Sequence, residues 1–211
     1  MKPLIDFERL FAELRSLDPR TVAMAAGAAV LIALLLLVWR WYRRRRARAA
    51  VLAAVTGGAF DYLREVLIPD GQGGSLHLDF LLLTARGCIV IDMRDIAGNI
   101  FGGDQMTEWT VMHRERRYTF SNPQAGLYDR VAAVRALAME LPVEGRVVFS
   151  ARGTFPKGLP RYTLMLDSIA AEFPAAEREQ SGALPEAWRA DWGRVTAACR
   201  PSEMIEPKRV V

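Results

Sequence analysis

The chain reads as an α/β domain behind a single membrane-crossing helix. Three observations carry that reading: an uncharged apolar run over residues 21–39, two β-rich runs over 75–84 and 88–95, and an amphipathic helical pattern over 127–141. With 211 residues and 51% apolar content, the length suits one ordinary domain plus extensions, with enough apolar side chains for a real core. Composition excludes a disordered chain, a collagen-like repeat and a disulfide scaffold. The two cysteines, Cys88 and Cys199, lack a CxxC or His-rich context and read as free thiols, not zinc ligands.

The formal charge of +4 invites a nucleic-acid reading until it is located. Residues 1–20 sum to zero, residues 21–39 carry no charge, and residues 40–48 carry six arginines (Arg40, Arg43, Arg44, Arg45, Arg46, Arg48) with no acid. Everything after residue 48 therefore sums to −2. The apolar run is 19 residues long, and a helix of that length spans roughly 28 Å, about the hydrocarbon thickness of a bilayer. Trp39, Trp41 and Tyr42 fall where aromatic rings favour the headgroup region. A buried helix of a soluble protein sits badly beside six arginines. A cleaved signal peptide sits badly with a positive cluster that follows the apolar run instead of preceding it. Arginine excess on the C-terminal side predicts a single-pass protein of the cell inner membrane with its C-terminal domain in the cytoplasm. The same arginines reach anionic lipid headgroups, a better match for them than RNA.

Five segments follow from this patterning: a short amphipathic stretch (1–20), the transmembrane helix (21–39), the Arg-rich juxtamembrane segment (40–48), an α/β domain (50–170) and a C-terminal extension with a docking helix (171–211). In the first, Leu4, Phe7, Leu10, Phe11, Leu14 and Leu17 recur at helical spacing. Residues 49–67 read as a helix interrupted at Gly57-Gly58, and 109–120 as one extended region. Residues 146–150 and 161–167 read as further strands. Pro185 starts a last helix whose Trp188, Trp192 and Val195 form one stripe.

The pair of strands around Gly87 holds the most informative chemistry. A hairpin closing on Ala85-Arg86 pairs residues whose numbers sum to 171, which sets Asp79 opposite Asp92 and His77 opposite Arg94. Opposed side chains lie about 5 Å apart at Cβ, where like charges are destabilising. A divalent cation would give two such acids a reason to meet, since hard cations such as Mg²⁺ take oxygen ligands. The residues leave a second reading open, with Asp79 in solvent and Asp92 paired to Arg94 or another base.

The order of an aspartate, twelve residues and then Asp-x-Arg approximates the D…(D/E)-x-K arrangement of Mg²⁺-dependent nucleases. On that basis, and on the ordered set that follows, the chain resembles the nuclease-related domain (NERD) family. Leu78-Asp79-Phe80-Leu81-Leu82 resembles the family's first aspartate strand, and Gly87 through Arg94 its E-x-K strand. Gly98-Asn99-Ile100-Phe101-Gly102 resembles its glycine loop, Trp109 its tryptophan, and Phe120-Ser121-Asn122-Pro123 its Asn-Pro turn. Val147-Val148-Phe149 fits its later strand. The resemblance runs from about Gly57 to Leu166 and implies a restriction-endonuclease-like mixed sheet flanked by helices.

It also implies site residues. Asp79 and Asp92 would hold Mg²⁺, and Arg94 would clamp phosphate; Asp61 and Gln124 would be accessory groups. The departures are as informative. The family's early glutamate falls near Ala59-Phe60, where only Asp61 substitutes; its E-x-K glutamate is Asp92; its lysine is Arg94, which stays protonated. The glutamine expected after the Asn-Pro turn aligns with Gly126, beside Gln124. Two functions follow: a membrane-anchored, divalent-metal-dependent nuclease or DNA-processing enzyme with a weakened site, or a catalytically inactive membrane-tethered module binding nucleic acid or protein. No small-molecule cofactor is expected.

Overall fold

The computed structural model describes residues 18–202; the amphipathic pattern of the first seventeen residues lies outside them. Contacts divide the chain at Ala50/Val51 into two compact units.

Helix α1 (Pro19–Thr56) opens the described chain and runs 38 residues, about 57 Å at 1.5 Å per residue. Its Val22–Thr56 stretch is long and apolar enough to cross a membrane, and its most apolar window is wholly exposed. Just past the apolar run, arginines fold back on aromatic rings one turn earlier. Arg43 lies 4.9 Å from the Trp39 ring, Arg45 5.4 Å from Trp41 and Arg46 4.7 Å from Tyr42.

The second unit is a mixed α/β fold. Strands β1 (Ala59–Pro69), β2 (Ser75–Thr84) and β3 (Gly87–Arg94) form an antiparallel meander, which β7 (Val143–Phe149) and β9 (Thr163–Met165) extend in parallel. A short β10 (Arg200–Pro201) closes the far edge, giving the order β10-β1-β2-β3-β7-β9. A second sheet, β6-β5-β4-β8, is built from β4 (Gly98–Phe101), β5 (Glu108–His113), β6 (Arg116–Ser121) and β8 (Gly153–Thr154).

Helix α2 (Pro123–Leu137) packs on one face of the large sheet. Its Leu127, Val131 and Val134 meet Leu78, Leu81, Val90 and Val147, with Trp192 and Val195 of α5 (Glu186–Ala198) in the same core. The opposite face, with Phe80, Leu82, Ile89, Ile91 and Val148, is covered by Val55 at the end of α1 and by Ile169 and Phe173 around α3 (Ile169–Glu172). Helix α4 (Ala175–Gln180) follows, and its Glu177 pairs with Arg86. With both faces covered, β3 is buried along Gly87–Asp92 and reads as a continuous apolar run instead of an alternating one.

Two expectations change. Residues 59–69 form β1, not the continuation of a helix: α1 stops before Gly57-Gly58, and the Phe, Tyr, Val, Leu and Ile that follow pair along β2. The extended region 109–120 is a hairpin of two strands, turning at Arg114-Glu115 with Arg114 in the left-handed region.

Most of the motifs that carry the resemblance build scaffold. Gly98 has φ +117°, and a Cβ there would come within 2.6 Å of the Met112 carbonyl oxygen, so no side chain fits. A Cβ at Gly102 would run into the Trp109 ring, which is fully buried among Phe120, Phe149 and Phe155. Asn122 caps α2 by accepting the Gln124 amide at 2.9 Å, with Pro123 in the first turn.

Candidate functional site

The site grows from a break in strand alternation. Leu76 and Leu78 of β2 pack toward α2, and so do Leu81 and Leu83, while Phe80 faces the opposite core. A regular strand alternates with period two, so β2 must change face between Leu78 and Leu81. Strand β1 breaks in step: Leu63 and Val66 serve the same core, and Glu65 between them has φ +51°. Arg64 pairs with Phe80 and Val66 with Leu78, so Glu65 and Asp79 occupy facing positions at the break.

His77 joins them. Its Nε2 lies 3.0 Å from Glu65 Oε2 and its Nδ1 3.3 Å from Asp79 Oδ1. One donor atom from each of the three lies within 4.8 Å of the others. The Arg130 guanidinium on α2 donates from Nε to the His77 carbonyl at 2.6 Å, which fixes that stretch of β2. Asp79 Oδ2 accepts the Met93 amide at 2.6 Å, just beyond the last β2–β3 pair, Phe80↔Ile91.

The β2–β3 pairs do sum to 171, as the turn predicts, and they end one residue before Asp79 would meet Asp92. His77 does not face Arg94; it pairs with Leu67 on β1. Asp92 points toward α2 and is 4% exposed. Its Oδ2 accepts Arg94 Nη2 at 2.7 Å and lies 3.6 Å from Arg130 Nη1. The side chain of Arg94 is partly exposed, yet its Nε is buried with no hydrogen-bond partner among the described residues.

Electrostatics separate the two acids. Burial pushes the Asp79 carboxyl up to about 6; the negative charges of Asp92 and Glu65 add to the rise, while the Met93 amide and His77 oppose it. Neither Glu65 nor Asp79 is ion-paired to a lysine or arginine among the described residues, whereas Asp92 has two guanidiniums. A dication shared by Asp79 and Asp92 would approach an oxygen already held by Arg94 and close to Arg130. Repulsion between such charges is large where little water screens it. The Mg²⁺ site that the resemblance implies for Asp79 and Asp92 therefore fits these residues poorly.

The other expected residues sit apart from this cluster. Asp61 on β1 accepts the indole N–H of Trp192 at 2.8 Å and its own neighbour's amide. Gln124, 1% exposed, donates to Asp104 Oδ1 at 2.9 Å and to the Arg161 carbonyl at 2.7 Å, tying a loop to the start of α2. Glu65, His77 and Arg130 were not expected at the site. The one sequence signal for the first two is the shift from alternating Leu-His-Leu-Asp to the continuous Phe-Leu-Leu-Leu, which marks the change of face.

The model of the nuclease-related domain matches residues 41–150, slightly more than half of the chain. The chain belongs to the NERD family. The match takes in β1–β7, and with them Asp79, Asp92 and Arg94, and also the arginine cluster from Arg43 onward. No curated protein and no solved structure matches this NERD chain.

Proposed function

We propose that this chain is a membrane-anchored NERD protein whose domain binds the phosphodiester backbone of nucleic acid, with metal-dependent hydrolysis at Asp79 and Asp92 strongly reduced. The observation that carries the reading is the Arg94–Asp92–Arg130 arrangement, in which Asp92 orients a partly exposed Arg94 guanidinium. A guanidinium fork matches phosphate better than an ammonium does. Asp92 then holds the fork in place instead of ligating Mg²⁺. Arginine at the family's lysine position stays protonated and so binds charge without tuning a water molecule.

Helix α1 anchors the domain, and its arginine cluster sets the domain on the cytoplasmic side of the inner membrane and touches anionic headgroups there. The arginine-on-aromatic pairs at Trp39, Trp41 and Tyr42 support that placement, since such rings favour the interface. A second reading, hydrolysis, is favoured by the Glu65–His77–Asp79 cluster, which offers ligands of its own.

The test uses the full chain in detergent micelles. Single- and double-stranded DNA binding is measured by anisotropy, and plasmid nicking is assayed with Mg²⁺ on the same sample. Expected are binding that weakens in Arg94→Ala and no nicking. Mg²⁺-dependent nicking that disappears in Asp92→Asn overturns the proposal, as does equal affinity in wild type and Arg94→Ala.

A further inference from the structure

We propose that Glu65, His77 and Asp79 form a site for a divalent transition ion, Zn²⁺ or Mn²⁺. The set shares Asp79 with the Asp79–Asp92 pair but turns to β1 for its second carboxylate instead of to β3. The inference is independent of nucleic-acid binding and concerns only what the β1–β2 break holds.

The donor chemistry comes first. Two carboxylates and an imidazole make a mixed oxygen and nitrogen set, which suits zinc and its neighbours; Mg²⁺ prefers oxygen alone in an octahedron. The donors come from two adjacent strands, and both strands change face at the same level to bring Glu65 and Asp79 together. A lone break on one strand would leave the other carboxylate on the wrong side.

Compensation of charge points the same way. Asp92 is neutralised by Arg94 and faces Arg130 as well. Glu65 and Asp79 are paired only with one imidazole among the described residues. Asp79 is also oriented as ligands are: the Met93 amide takes Oδ2, which leaves Oδ1 toward His77. Arg130 fixes the His77 backbone through its carbonyl, and Ser202 donates its amide to the Glu65 carbonyl at 2.9 Å. Supports of this kind around the ligands are what a preformed metal site requires.

The experiment is calorimetric titration of the full chain in detergent, first stripped with a chelator, using Zn²⁺, Mn²⁺ and Mg²⁺ in separate runs. Expected is one Zn²⁺ or Mn²⁺ per chain, with Mg²⁺ about 100-fold weaker or undetected. His77→Gln is expected to weaken binding by more than about 100-fold, above the roughly 10–100-fold typical of lost supporting groups. His113→Gln, the control for a surface imidazole, is expected to leave affinity within about twofold. Glu65→Gln serves as the second ligand variant if His77→Gln melts early by circular dichroism. The proposal is overturned if no ion binds, if both ligand variants bind as the wild type does, or if Mg²⁺ binds tightly and is lost with Asp92→Asn. Cleavage is not read in this experiment, so its failure and that of the nucleic-acid proposal are separable.

Discussion

The Met93 amide donates to Asp79 Oδ2 at 2.6 Å, one step past the point where β2 and β3 stop pairing. A side chain thus does the work of the missing ladder carbonyl, and the acid is drawn into a partly desolvated position beside Asp92.

That burial sets a pH dependence. The Asp79 carboxyl is raised to about 6, chiefly by burial. Between the unfolded value of about 4 and the folded one, the folded state holds more protons at Asp79, so this group's contribution to stability is greatest below about pH 4 and is lost as pH rises through about 6. Asp79→Asn removes the charge while Asn keeps an acceptor for the Met93 amide. In chelator-containing buffer it is expected to melt higher than wild type at pH 8 and equal to it at pH 4, a difference of up to roughly 3 kcal/mol. An offset identical at both pH values would refute this.

Gly102→Ala tests the aromatic platform under the glycine loop. A Cβ at Gly102 would come within 2.3 Å of the Trp109 ring, which has no space to retreat among three phenylalanines. Overpacking of this kind costs about 1–3 kcal/mol, occasionally more. Gly103→Ala is the control, since its Cβ would meet only Met106 at an ordinary 3.5 Å. Denaturant midpoints of the two variants separate if the packing is as described.

Asp61→Ala distinguishes a structural acid from an accessory one. It deprives the Trp192 indole of its acceptor, at a cost of about 1 kcal/mol. DNA affinity and metal affinity are expected to stay at wild-type levels in the same preparation. A fall in either would return Asp61 to the site.

Asp191→Ala probes how the last helix is locked to the domain. Asp191 is 1% exposed and accepts the amides of Glu140 at 2.6 Å and Leu141 at 2.9 Å, while pairing with Arg194. Removing it leaves two amides without their acceptor, while the half-exposed Arg194 turns to water; the expected loss is about 2–4 kcal/mol in chemical denaturation. A loss below about 1 kcal/mol would mean α5 is held by Trp192 and Val195 alone.

The membrane reading has its own check. The chain is expected to stay in the membrane pellet after alkaline carbonate and to leave it only with detergent. A cytoplasm-only reporter fused after Val211 is expected to be active. Release by carbonate would reduce α1 to a peripheral contact.

Legibility in the sequence varied by the physics involved. The β2–β3 register was readable because a two-residue turn at Ala85-Arg86 fixes every pair that follows it. The buried character of β3 was readable from its unbroken apolar run. Strand β1 was not, since Leu-Arg-Glu-Val-Leu suits either period and only pairing with β2 decides. Glu65 escaped notice because glutamate seldom takes a left-handed backbone, and nothing local announces it. Gln124 has the residue type of a site group, but its amide is spent on Asp104 and Arg161, partners 20 and 37 residues away.

The proposed role of Arg94 is tested most directly by the salt dependence of DNA affinity. Wild type and Arg94→Ala share the whole juxtamembrane arginine cluster, so their difference reads the domain alone. Each phosphate contact contributes about 0.7–0.9 to the slope of log affinity against log salt. A slope shallower by roughly that amount in Arg94→Ala is the expected result. Parallel lines for the two proteins would contradict it and leave DNA binding, if any, to the arginines beside the membrane.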